Sequence, residues 1–354
     1  MDAKEKFCGY TDEDFINILS VLKTLDTEYI ILSGGEPCMH PRILHFVDLA
    51  YESGLKVGIA TNGTVITDRM LDCFARNKVF LQVSIDAIRY PEYFKSRGSD
   101  QLNKVVSNLK RLQKRDISVT LACTLTDLNA EYAIEICDFA KKMQLSTIHF
   151  GPVIPSGRCL SVGLKFQKFF TVMMQLYHYQ IENYLDIQID IVEEIVNLIA
   201  NSPEEGASET FFCNAMAGKN IQIDVSGNVR RCGLIESAEP LNILDCFNRQ
   251  GMTVGEIAEK CTCIAIQTSA TDIPLCRECE YIQLCRGGCR ACAFNVTGDY
   301  MGELPYCNGF KRFIQVVKDD YHAGKLDGYL SFLQLMHLVE RKRYDTTVKR
   351  IGIF

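Results

Sequence analysis

Cysteine has the most chemistry to offer in this chain, and its spacing is uneven. Of seventeen cysteines in 354 residues, six are scattered before residue 160 and eleven lie between Cys213 and Cys307. Cys213 is followed by thirteen residues, Gly227, four residues and Cys232. Then come Cys276-x2-Cys279-x5-Cys285-x3-Cys289, and Cys307 closes the set. Paired thiolates on one turn grip a metal centre, and distant ones bring other segments to it. Gly287-Gly288, just before Cys289, lets backbone approach such a centre without a Cβ in the way. A structural zinc site, as in a ribbon, is one reading. Seven cysteines exceed one four-cysteine site, however, and one further thiolate makes eight, enough for two [4Fe–4S] clusters. Disulfides are rare in a reducing cytosol, so clustered thiols there favour metal or redox chemistry.

Four short turns form a second set of candidates. They are Gly34-Gly35-Glu36-Pro37, Thr61-Asn62-Gly63, Ser84-Ile85-Asp86 and the segment Gly151 to Arg158, which includes Pro155. Each alone reads as turn chemistry. All four follow an apolar run, which puts them at the C-terminal ends of strands, where α/β folds collect their ligand sites.

The elements that must position these residues alternate. Thr11 to Asp14 reads as a capping box opening a helix with Phe15, Ile18, Leu19 and Leu22 on one face. Apolar strands are expected at Tyr29 to Leu32, Leu55 to Ala60, Val79 to Ile85, Ile117 to Leu125 and Thr147 to Val153, with amphipathic helices between them. Near-continuous apolar strands alternating with helices predict a parallel sheet covered by helices. Right-handed crossovers curl such a sheet toward a full or partial barrel. Residues 160–205 read as a helical bridge and 206–312 as a cysteine-rich domain of short elements. A helical pattern returns from Phe310 to about Lys342, so 313–354 reads as a C-terminal helical segment.

The cysteine pattern resembles the SPASM domain that accompanies many radical S-adenosylmethionine (SAM) enzymes, and all seven of its positions are present. Gly34 to Pro37 is similar to the GGEP motif of the same superfamily. The resemblance implies an α/β fold: a partial (β/α)6 barrel of TIM type over residues 1–159, lacking its first strand, then the SPASM domain and a C-terminal helix. It implies SAM held by Gly34, Gly35, Glu36, Pro37, Asn62, Ser84, Asp86, Gly151 and Pro155. One auxiliary cluster is implied at Cys276, Cys279, Cys285 and Cys307, and a second at Cys213, Cys232 and Cys289. The fourth ligand of the second stays open among Cys292, Cys246, Cys261, Cys263 and a non-cysteine position.

One feature of the family is missing. The SAM-cleaving cluster needs a CxxxCxxC loop after the first strand, and Cys8 is the only cysteine before Cys38. Either the chain is a fragment without that strand, or it is a degenerate paralogue that binds without radical chemistry. A fragment is the expectation, since the strand at Tyr29 to Leu32 would otherwise present a bare apolar edge. A third cluster, binding SAM, is then expected only in a longer chain.

Function follows as an expectation: radical modification of a peptide or protein side chain, with flavodoxin or ferredoxin as electron donor. The alternatives are synthesis of a quinone or haem-type cofactor, and an incompetent SAM- or peptide-binding fragment. The net charge of −6 gives no reason to expect nucleic acid. No apolar run is long enough for a membrane span, and residues 1–15 lack an apolar signal core, so a cytoplasmic enzyme is expected. His40, His149, Tyr281, Asp299 and Tyr300 are assigned no catalytic role.

Overall fold

The computed structural model describes residues 10–154, 166–201, 215, 218–235, 241–263, 269–341 and 350–353. Five strands lie where alternation places them: β1 (Tyr29–Leu32), β2 (Lys56–Thr61), β3 (Phe80–Ser84), β4 (Val119–Leu125) and β5 (Thr147–Pro152). A sixth, β6, is only Gln188–Ile189 and sits inside the segment expected to be helical. Two residues carry no periodicity, and Asp190 opens a helix directly after them. β1 to β6 pair in parallel and in chain order. This is the parallel sheet of the partial barrel expected from the alternation.

Helices close over one face of the sheet. The first, Asp12–Thr24, starts from a reciprocal Thr11–Asp14 capping box and buries Phe15, Ile18, Leu19 and Leu22. Ile30, Val57, Ile59, Leu81, Val83, Leu121, Ile148 and Phe150 meet these helices and are almost wholly buried. Alternate residues such as Gln82, Ser84, Thr120 and His149 point to the opposite, open face.

The second half adds β7 (Asn220–Ile223), β8 (Asn228–Arg230) and β9 (Leu241–Asn242), an antiparallel run joined at Gly227. Gly227 has φ +87°, and a Cβ there would sit 2.7 Å from Leu244 Cγ, so glycine is required at this turn. Beyond it the helices Ile282–Cys285 and Arg290–Thr297 carry the cysteines. The helical C-terminal pattern resolves into Cys307–His322 and Asp327–Arg341, separated at Gly324, whose φ is +71°.

The bare edge expected at β1 is covered. β10 (Arg350–Ile353) lies between β1 and β7 and pairs with both in parallel, Tyr29 with Arg350 and Arg350 with Asn220. The C-terminal segment therefore ends in a strand, where a helix was expected. A four-residue run has too few positions for alternation to show.

Candidate active site and cluster cavity

Glu36 ties the ends of β1 and β2 together. Its Oε1 accepts from Cys38 N–H (3.1 Å) and Thr61 Oγ1 (2.6 Å), and its Oε2 accepts from Asn62 N–H (2.7 Å). Gly34 has φ +139°, a region that favours glycine, and a Cβ on Gly35 would meet nothing within 4 Å, so the backbone faces open space. Gly63, at φ +72°, lies against Val83, where a Cβ would be 2.8 Å from Cγ1. Asn62 folds its own turn by accepting from Thr64 N–H at 2.8 Å.

Ser84 ends β3. It is in register with Ala122 of β4, which is in register with His149 of β5, so these three share the open face. Thr124 and Gly151 form the next such pair. Asp86 is buried and largely occupied by protein partners: Arg97 Nε lies 2.7 Å from its Oδ2, and Thr124 N–H donates to its Oδ1 at 2.8 Å. Burial raises its carboxyl above the ordinary value despite Arg97 and that hydrogen bond. Its observed bonds are those of a brace between strand ends. Pro155 lies outside the described residues, whereas Gly34, Gly35, Glu36, Asn62, Ser84 and Gly151 converge on one end of the sheet.

The structure also gives His149 a partner. Its Nδ1 pairs with Asp190 Oδ2, and Asp190 Oδ1 accepts from Ile191 N–H at 2.7 Å. Asp190 follows β6 directly, so the pair spans the β5–β6 edge of the open face, in the layer of Ser84. Strand spacing puts it about 10 Å from Ser84. In the sequence these residues are 41 apart, and only the two-residue strand β6 brings them together.

Cys276, Cys279, Cys285 and Cys307 line one cavity of about 80 Å³. Its other walls include Ile273, Leu304, Arg290 and Lys311. Burial pushes the Cys285 thiol up to about 12, and the neighbouring Cys307, Cys276 and Cys279 add to the rise. Gly287 and Gly288 have φ +75° and +63°; a Cβ would lie 2.6 Å from Ile273 Cδ1 at the first and 2.1 Å from Leu304 Cδ1 at the second. Glycine is thus needed for both conformation and space. Among the described residues no three His, Cys, Asp or Glu side chains draw close enough to grip a single ion. Four thiols ring this cavity, a donor set that would suit an iron–sulfur cluster.

Cys289 caps the helix Arg290–Thr297 and Cys292 lies in its first turn. Both pack with Ile154, Leu304, Tyr306 and Cys307, so the C-terminal end of β5 abuts the cysteine-rich region. Pro152, Cys285 and Tyr306 share a second cavity of about 120 Å³. Cys246 and Cys261 belong to the main core, where burial pushes Cys261 up to about 12. Cys38, Cys73, Cys123 and Cys137 are buried core thiols. Cys213 and the side chain of Cys263 lie outside the described residues.

Residues 6–140 match the Radical SAM superfamily. The chain is 24% identical over 310 residues to an AdoMet-dependent heme synthase of Methanosarcina barkeri, covering 84% of this chain and 87% of the relative. It is 24% identical over 333 residues to a serine-type anaerobic sulfatase-maturating enzyme of Bacteroides thetaiotaomicron, covering 86% and 78%. In fold it is similar to native anSMEcpe with bound AdoMet and Kp18Cys peptide: TM-score 0.68, 18% identity, 87% of this chain and 91% of that one. Sheet, strand-end residues and the match over residues 6–140 support an enzyme whose first domain is similar to the radical SAM class. The solved structures it resembles in fold span its cysteine-rich second half as well, covering 87% of the chain. The class implies SAM and iron–sulfur clusters as cofactors.

Proposed function

We propose that this radical SAM enzyme oxidises a side chain of a peptide or protein, with two auxiliary [4Fe–4S] clusters in its second half. The single observation that carries the cluster assignment is the cavity ringed by Cys276, Cys279, Cys285 and Cys307. Cys213, Cys232 and Cys289 make the second set, and Cys292 is the available fourth thiol, since it shares the apolar surroundings of Cys289. SAM lies over the strand ends, with its amino group toward Gly34, Gly35 and Glu36 and the rest of it toward Asn62, Ser84 and Gly151. Bound SAM supplies, on one-electron reduction, a radical that takes a hydrogen atom from the substrate. The 354 residues contain no CxxxCxxC, so none of them is assigned to the initiating cluster.

His149 and Asp190 support the oxidative reading. A side-chain alcohol or thiol that has lost a hydrogen atom from carbon becomes a carbonyl or thiocarbonyl only after losing one electron and one proton. An auxiliary iron–sulfur cluster is the electron acceptor, and the His149–Asp190 pair on the open face is the proton acceptor. A solved relative carries a bound peptide alongside AdoMet, which fits the same substrate class. The donor of low-potential electrons is of the flavodoxin or ferredoxin kind, and the enzyme works in the cytoplasm.

The similarity to heme synthases over most of the chain favours a second reading, action on a tetrapyrrole. The test is SAM consumption, in the presence of either substrate class, by a longer, cluster-loaded chain that carries the CxxxCxxC loop. Release of 5′-deoxyadenosine stimulated by serine- or cysteine-containing peptides supports the first reading. Stimulation by a tetrapyrrole carboxylate alone replaces it. Iron analysis of the auxiliary region should give about eight irons per chain, and zinc with little iron would remove both.

A further inference from the structure

We propose that Arg290 donates a hydrogen bond to the cluster held by Cys276, Cys279, Cys285 and Cys307 and raises its reduction potential. The inference rests on the reading that this cavity holds an iron–sulfur cluster. Arg290 heads the fully buried side chains in size and is only 2% exposed. A guanidinium carries five N–H donors and cannot be deprotonated. Nη1 donates to Tyr300 O and Gly302 O, both at 3.0 Å, and Nη2 donates to Gly287 O. Nε is buried and has no hydrogen-bond partner among the described residues.

Burying a cation with an idle donor is costly, so such a donor points to an acceptor that the protein atoms do not supply. Arg290 lines the four-cysteine cavity, and its charge acts on the Cys276 thiol. The other charged residues lining that cavity are Glu303 and Lys311. A cluster sulfide or thiolate is the acceptor this place can offer. Two of the carbonyl bonds fix the guanidinium to the loop that follows the helix Arg290–Thr297 and the third to the Gly287 turn before it, so the donor is held in advance of cluster binding. A thiolate-ligated cluster becomes more negative on reduction. A fixed buried cation and an N–H···S bond therefore favour its reduced form.

The decisive measurement uses this chain with its clusters reconstituted anaerobically and its arginines labelled with 15N. Pulsed EPR of the reduced protein should show one arginine 15N coupled to the cluster signal that Cys276→Ala abolishes. Arg290→Lys, which keeps the charge and lacks Nε, should lose that coupling while retaining its iron. The potential of that cluster should fall by at least 59 mV, a tenfold change in a one-electron equilibrium. A cluster signal with no arginine coupling in the unsubstituted chain overturns the proposal, and this reading needs no variant to fold. An unchanged potential in iron-replete Arg290→Lys overturns it as well. A preparation that takes up zinc and no iron instead defeats the cluster reading itself, which separates the two failures.

Discussion

Single residues decide whether each site can exist. Gly288 combines φ +63° with a position where a Cβ would be 2.1 Å from Leu304 Cδ1, while Gly298 has φ +77° and nothing within 4 Å. Alanine at either costs about 1–2 kcal/mol of left-handed strain. Only Gly288→Ala also pushes Leu304 into the cysteine cavity. Iron bound per chain should therefore fall in Gly288→Ala and stay unchanged in Gly298→Ala; equal iron contents would refute the packing argument. Asp190 offers a separate test. If the pair with His149 takes the substrate proton, Asp190→Asn should leave 5′-deoxyadenosine formation intact and cut product by about 10²–10⁴-fold. Parallel loss of both in the cluster-loaded enzyme would assign Asp190 to SAM or substrate binding instead.

At the scale of elements, β10 is the unexpected participant. A parallel strand paired on both sides commits its backbone N–H groups to its neighbours, and β10 is paired in this way with β1 and β7. Ile351→Pro removes one of those donors and should lower Tm by a few degrees, about 2–4 °C for each kcal/mol lost. Amide exchange at Tyr29 to Leu32 should speed up in the same variant. Unchanged protection there would mean that β10 contributes nothing to the edge. The helices were legible in the sequence because capping and 3.6-residue periodicity are local. Helix Asp12–Thr24 follows from Thr11, Asp14 and four apolar positions. β6 and β10 were not legible, since their pairing depends on strands far away in the chain.

At the scale of the molecule, the cysteine-rich half must be held to the end of the sheet. Part of that hold is Asp320, on the helix Cys307–His322, which accepts from Tyr177 of the helix Phe166–Asn183 at 3.0 Å and from Lys325 at 2.6 Å. Burial alone would raise the Asp320 carboxyl, but the bonds from Lys325 and Tyr177 bring it below the ordinary carboxylate value. A carboxylate lowered by folding stabilises the fold above its unfolded pKa, and that stability is lost as pH falls through the folded value. The metal-free protein should therefore lose Tm below about pH 4 more steeply than Asp320→Asn does. Identical slopes would show that the contact carries no stability. No described helix is long and apolar enough to cross a membrane.

The sequence by itself determined the alternating architecture and singled out the spaced cysteines as candidate cluster ligands. Strand periodicity, capping and thiol spacing are properties of short stretches, and each carries its own physical constraint. It also marked Gly34 to Glu36, Asn62, Ser84 and Gly151 as strand-end residues. Tertiary structure decided everything that required distant residues to meet. It braced Asp86 with Arg97, paired His149 with Asp190, grouped Cys292 with Cys289 and left Cys246 and Cys261 in the core. It also set Arg290 in the cysteine cavity with its buried Nε donor unused among the described residues. An arginine beside a cysteine reads as a surface charge until burial shows that water cannot reach it, and burial is a property of the whole fold.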